Sequence, residues 1–285
     1  MRTFIVLRQF LNLFAYLALI VLLTVLTQVG GLIFLLCLPL FSWLRRKQSR
    51  PFLRFIYQTS LFLLVYGSFS WLIVPPLAVR YGRVPMPLFA KDNNPVRPLN
   101  KITCFLNRHY VRKPLRELIT STAVQMHSRY PGTLTLSLDA GFPFWNGFPL
   151  IPHLSHNDGR KIDLAFYYAD AISGERVNGE APAWLGYGIC EAPRPGEINQ
   201  PLECEQLGYW QYSLLSRFLS QEKSCLAFDA ERTATLVKLL ARNKATGKLF
   251  IEPHLRMRLG LSAYAKIRIH GCQAVRHDDH LHVQL

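Results

Sequence analysis

Two short stretches hold most of the residues able to bind a metal or move a proton. The first is 153-HLSHNDGRKID-163, with His153, His156 and Asp163. The second is 277-HDDHLHVQL-285, with His277, His280 and His282. Five of the nine histidines of the chain fall in these two segments, which lie more than 110 residues apart. Imidazole is the commonest protein ligand for zinc, and hydrolytic zinc sites often add a carboxylate and keep one position for water. Spacing restricts how the residues could meet. His156 and Asp163 are seven positions apart, roughly 10 Å along one helix, which is too far to share an ion. On one strand that odd spacing puts them on opposite faces. They can converge only if the chain turns between them, and Asn157-Asp158-Gly159 has the composition of a turn. His280 and His282 alternate with Leu281 and would share one face of a strand. A sheet pairing 162–169 with 280–285 would bring His156, Asp163 and one or both terminal histidines together. A lone His-x-His carries little information, and His153 and His277 taken alone read equally well as solvated loop residues. The conjunction of the two segments is more specific than either.

The elements that must position these residues are legible in outline. Residues 101–285 read as one domain. A helical pattern near 111–128 precedes the alternating 133-TLTLSLDA-140, a strand. A Gly/Pro/aromatic loop, 141–152, leads into the first histidine stretch, and 162-IDLAFYYA-169 reads as a second strand. Residues 173–207 look like a long surface excursion. Helices are expected near 209–220 and over 229–243, the latter with Asp229 as N-cap. Short strands follow at 248–253 and 280–285. Strands and helices mix without regular alternation, so the expected class is α+β: a small antiparallel sheet flanked by helices.

The first 79 residues are different in kind. Residues 9–44 and 55–79 contain no charged side chain, and each run exceeds the roughly 18 apolar residues of a membrane span. Thirty-six helical residues would extend about 54 Å, against a hydrocarbon core of about 30 Å. Gly30-Gly31 sits mid-run, so 1–79 should form two or three transmembrane helices. The run is too long for a cleaved signal peptide. Between the runs lies 45-RRKQSR-50, followed by Arg54, the cluster expected to stay cytoplasmic. Everything after residue 80 is then expected outside the cytoplasmic membrane, with the proline-rich 80–100 as a linker. The net charge of +15 divides into +9 for residues 1–94 (ten Lys/Arg, one acid) and +6 for the rest (23 and 17). It is therefore mainly a topology signal, and no basic helix or aromatic platform argues for nucleic acid. Cys37 falls in the apolar region. Cys104, Cys190, Cys204, Cys225 and Cys272 fall in the outer part, where disulfides persist, and an odd number leaves at least one unpaired within the chain.

The pattern His153-x-Ser155-His156-x-x-Gly159-x-x-Ile162-Asp163, closed by 277-HDDHLHV-283, resembles the LAS metallopeptidases, and within them the penicillin-insensitive murein endopeptidases. The intervening 228-FDAERTATLVKLLA-241 and 249-LFIEPHLRMRLG-260 add to the likeness, which covers about residues 130–285. The resemblance implies one zinc ion held by His156, Asp163 and His282, with water in the fourth position. It implies that His280 faces the site without ligating, and that His277 and His153 assist or contact substrate, with Asp278 or Asp279 orienting an imidazole. It further implies a hydrolase of peptidoglycan cross-links involving D-amino acids; the apolar runs and the basic cluster independently lead to the expectation of an inner-membrane protein whose site faces the periplasm. The departures include Lys161, where those enzymes commonly carry an acid, Arg276 in place of a small residue, and the lack of the usual aromatic residue just upstream of His277. They leave room for a non-catalytic wall-binding or metal-binding module on the same fold. No H-E-x-x-H is present, so a zincin-type glutamate base is excluded, and Ser155 lacks the G-x-S-x-G context of a nucleophile.

Overall fold

The computed structural model describes residues 2–211 and 225–285, with side chains in the first helix described at Leu7 and from Phe10 onward. The apolar region forms three long helices: α1 (Arg2–Thr27), α2 (Gly30–Lys47) and α3 (Pro51–Leu72). The break between α1 and α2 falls at Gln28, whose φ of 67° ends the helix. The glycines expected at the turn instead open α2. Their role is close approach: a Cβ on Gly30 would lie 2.6 Å from Thr27 Oγ1, and one on Gly31 would collide with Thr24 Oγ1 and Ile20 O. Phe10–Thr27 and Pro51–Leu72 are long and apolar enough to cross a membrane, and 6% of each window is buried within the protein. Leaving that much leucine and phenylalanine exposed in water would be very unfavourable, which points to an apolar surrounding.

The turn between α1 and α2 and the far end of α3 meet the rest of the chain. Gln28 Oε1 accepts from Phe144 N at 2.9 Å, and Tyr66 donates to Phe105 O at 2.6 Å. Asn107 Nδ2 donates to Tyr66 Oη and Ser70 Oγ. The basic cluster at the end of α2 lies at the other end of the bundle. A short helix, α4 (Val74–Arg80), continues from α3.

The stretch expected as a linker is folded. It contributes β1 (Val84–Pro85) and β2 (Val96–Pro98), with Arg83, Met86 and Val96 buried. Its prolines suit an extended edge position, where a missing N–H costs no ladder bond. After α5 (Lys101–Phe105) and β3 (Tyr110–Val111) comes α6 (Lys113–Arg129). Its Leu115, Leu118, Ile119, Thr122, Ala123 and Met126 are buried at helical spacing. There follow β4 (Thr135–Ser137), β5 (Lys161–Ala165), β6 (Tyr168–Asp170), β7 (Arg176–Val177), α7 (Gln200–Gln206) and β8 (Leu226–Phe228). The expected single strand over 162–169 is thus two strands in different sheets. The helix expected near 209–220 falls largely outside the described residues. The chain closes with α8 (Ala230–Arg242), β9 (Lys248–Phe250), α9 (Pro253–Arg258), β10 (Ile267–Arg268) and β11 (His280–Gln284). Asp229 caps α8 as expected, its side chain accepting from Arg232 N.

The class is α+β. The main sheet has six strands in the order β10-β9-β11-β5-β4-β2. It is mixed rather than antiparallel. β9, β11, β5 and β4 pair antiparallel, but β10 joins β9 and β2 joins β4 in parallel. Both parallel joins are reached by crossovers carrying a helix, α9 and α6 respectively, as parallel neighbours require. Ile162 and Leu164 of β5 and Leu281 and Val283 of β11 enter the core with α6 and α8. By strand alternation, Asp163, His280 and His282 face the opposite side.

Candidate metal centre

The antiparallel register sets Asp163 directly across from His282, and His280 across from Ala165. His156 reaches them through the turn at 157–159. Gly159 has φ of 70°, a conformation that disfavours any residue with a Cβ. A Cβ there would also lie 3.1–3.3 Å from the Arg83 guanidinium. That guanidinium is buried and donates to Phe142 O, Asn146 Oδ1 and Asn157 O, so it pins the loop from beneath. Gly159→Ala should therefore lose about 1–2 kcal/mol from the backbone alone, read as a lower unfolding midpoint. A neutral or stabilising change would refute this account of the turn.

Three donor atoms converge. His156 Nε2 lies 3.1 Å from His282 Nδ1 and 3.2 Å from Asp163 Oδ1, and His282 Nδ1 lies 2.9 Å from Asp163 Oδ1. A tetrahedral ion bound at about 2.0–2.1 Å spaces its donors about 3.4 Å apart, so this triangle needs to open by only a few tenths of an ångström. The protonation of the donors also suits a cation. His156 Nδ1 donates to Ala140 O at 2.7 Å, which fixes that tautomer and leaves the Nε2 lone pair for the site. For Asp163, burial alone would raise the carboxyl, but the imidazoles of His156 and His280 outweigh it and hold it well below the usual range. Burial, only partly opposed by Asp163, lowers His282 to about 4, so it is neutral and can ligate near pH 7. His156, Asp163 and His282, all buried, could hold a metal ion.

His280 joins the site without entering the triangle. Its Nδ1 donates to Asp279 Oδ1, and its Nε2 lies 3.7 Å from Asp163 Oδ2, buried and without a hydrogen-bond partner. Burial opposes its charge, but Asp163 and Asp279 raise it to about 9. Of the two acids considered as imidazole orienters, Asp279 takes that place. Asp278 instead pairs with both arms of Arg276. His153 belongs to the site rather than to solvent. Its Nδ1 donates to Asp139 Oδ2 at 3.0 Å, and Asp139 is clamped by two bonds from Arg108. His277 is buried, with its ring 5.0 Å from that of His280 and 5.5 Å from that of His282. Lys161 turns to Asp158, with Nζ 2.8 Å from Oδ2.

Sequence reasoning missed two members. Asp139 closes the strand-like 133–140 just ahead of the histidine loop, a placement that an acid following an apolar strand could have signalled. Tyr187 lies in the excursion and had no local signal. Its hydroxyl donates to Asp163 Oδ2 at 2.9 Å and accepts from Asp139 N, and its ring packs tilted against His153 and edge-on against His280.

Two clefts adjoin at His153 and His280, and the larger of them is also lined by the triangle. One, of about 630 Å³, includes Lys161, Tyr209, Trp210 and Phe250. The other, of about 350 Å³ and mainly apolar, includes Ile102, Leu106, Trp184 and Leu185. His153 and His280 line both. No protein-family model matches the chain, and no curated protein is significantly similar to it.

Proposed function

We propose that this chain is a membrane-anchored zinc peptidase acting on peptidoglycan outside the cytoplasmic membrane, of the LAS type its motifs resemble, and that it cleaves cross-links involving D-amino acids. The observation that carries this reading is the donor triangle of His156, Asp163 and His282 with the unpartnered Nε2 of His280 beside it. Two imidazoles and one carboxylate are a donor set of hydrolytic zinc. Zinc held there would supply a Lewis acid and a water acidified toward pH 7. His280 presents Nε2 because its Nδ1–H donates to Asp279, so it can hydrogen-bond an attacking water or the oxygen that gains charge. Asp139 and Tyr187 hold His153 at the rim, where it can contact the scissile region. The two clefts give an extended substrate a path on both sides of the reacting bond. The basic 45–50 cluster supports a cytoplasmic position for that end of the bundle, and hence the opposite side for the site.

The test uses full-length protein in detergent on purified cross-linked sacculi. The expected result is release of new amine ends that stops on chelation and returns with zinc. Cleavage of D,D- or L,D-linked peptides but not all-L ones fixes the substrate class. Metal uptake and sacculus binding without any new amine ends would instead establish the non-catalytic module.

A further inference from the structure

We infer a second divalent-metal site, formed by Glu252, His270 and His277, behind the first. The three donor atoms lie within 4.8 Å of one another, and all three residues are buried. Glu252 Oε1 already gathers the group, 2.7 Å from His270 Nε2 and accepting from His277 N at 2.8 Å. The rings of His270 and His277 are 4.7 Å apart. Two further atoms point to a ligand. Glu252 Oε2 and His277 Nδ1 are both buried without a hydrogen-bond partner, in residues exposed by 0% and 4%. An unsatisfied buried carboxylate oxygen is costly, and a cation removes that cost.

The donor set decides the class of ion. Two imidazoles and one carboxylate favour zinc, cobalt or nickel over calcium and magnesium, which prefer all-oxygen shells. The site shares no ligand with the His156–Asp163–His282 triangle, but it abuts it, because the His277 ring lies 5.5 Å from that of His282. An ion here would tie three separated segments together: the end of β9, the loop after β10 and the start of the final histidine run. Two links already brace the same corner. Cys272, two residues beyond His270, is joined to Cys204 on α7, and Glu252 N donates to His277 O. The second ion would therefore set the position of His277 and of the turn leading to His280, acting as a positioning element. The inference is independent of the peptidase reading and fails separately from it.

The experiment measures metal content by mass spectrometry on full-length protein in detergent, stripped with a chelator and re-equilibrated with Zn²⁺ or Co²⁺. The expected result is two equivalents in the wild type and one in either E252Q or H270Q. H282A should also hold one, and the combination of H270Q with H282A none. Glu252→Gln is nearly isosteric, and near-UV circular dichroism identifies any variant that has lost its fold. A single wild-type equivalent that folded H282A loses overturns the second site, whereas one that H282A keeps and E252Q loses counts against the triangle alone. Two equivalents retained in folded E252Q and H270Q overturn it as well. Loss of the first equivalent alone, in H282A, bears on the triangle and leaves the second site standing.

Discussion

His282→Ala should abolish metal binding at the triangle, weakening it by well over 100-fold. Loss of groups that merely orient a ligand typically costs 10–100-fold, and here a direct donor disappears. The remaining pair, His156 Nε2 and Asp163 Oδ1 at 3.2 Å, offers two donors in place of three. Linkage gives a second readout. An ion that binds only the folded state stabilises it by about 2.7 kcal/mol at one hundred times its Kd. The wild type should thus melt higher with added zinc, and H282A should lose the share due to this site. Asp163→Asn should do the same, because it removes the one formal negative charge in the triangle and leaves a bound cation without compensation. Retention of the triangle's equivalent in folded H282A would remove the basis for the proposed chemistry.

The second large effect concerns stability and lies away from the histidines. Arg232 is completely buried at the start of α8. Its Nε donates to Asp229 Oδ2 at 2.6 Å, and its Nη1 reaches Thr133 Oγ1 and Asn178 Oδ1. Its Nη2 donates to the carbonyls of Tyr168 and Val177, on β6 and β7, and its plane lies over the Tyr167 ring. One guanidinium thus joins α8 to the three-stranded sheet β7-β6-β8. Arg232→Met keeps volume but strands the Asp229 carboxylate and several buried acceptors. Removing one partner of a buried ion pair costs about 3–5 kcal/mol. For a domain of this size that lowers the melting temperature by roughly 10 °C or more. Thermal unfolding followed by circular dichroism checks it, and a shift below about 2 °C would mean the network contributes almost nothing.

Much of the site could be read from local patterns. The turn at Asn157–Gly159 follows from residue type, and the common face of His280 and His282 follows from strand alternation. Pairing of 162 onward with 280 onward is the one step that local patterns allow without requiring, and the structure has that pairing, with Asp163 in register against His282. What escaped reading came from long-range contacts. Tyr187 reaches Asp163 from a segment without periodicity, and Glu252 meets His270 only because α9 and β10 fold the intervening chain back. Arg232 looks like a surface residue of an amphipathic helix until the second sheet closes over it. The proline-rich 80–100 resembles a linker because prolines suit loops and sheet edges alike.

The sequence by itself determined the apolar helices, the basic cluster between them, the α+β class and the six residues most able to do chemistry. Each of these depends on composition or on a period of two or 3.6 residues, which neighbours along the chain express directly. The tertiary structure decided which donors meet, which acid orients His280, the mixed pairing of the sheet and the link of Cys204 to Cys272. It also assembled the Glu252–His270–His277 cluster. Those outcomes depend on distances between residues tens of positions apart, and packing of the whole sheet against α6 and α8 sets such distances.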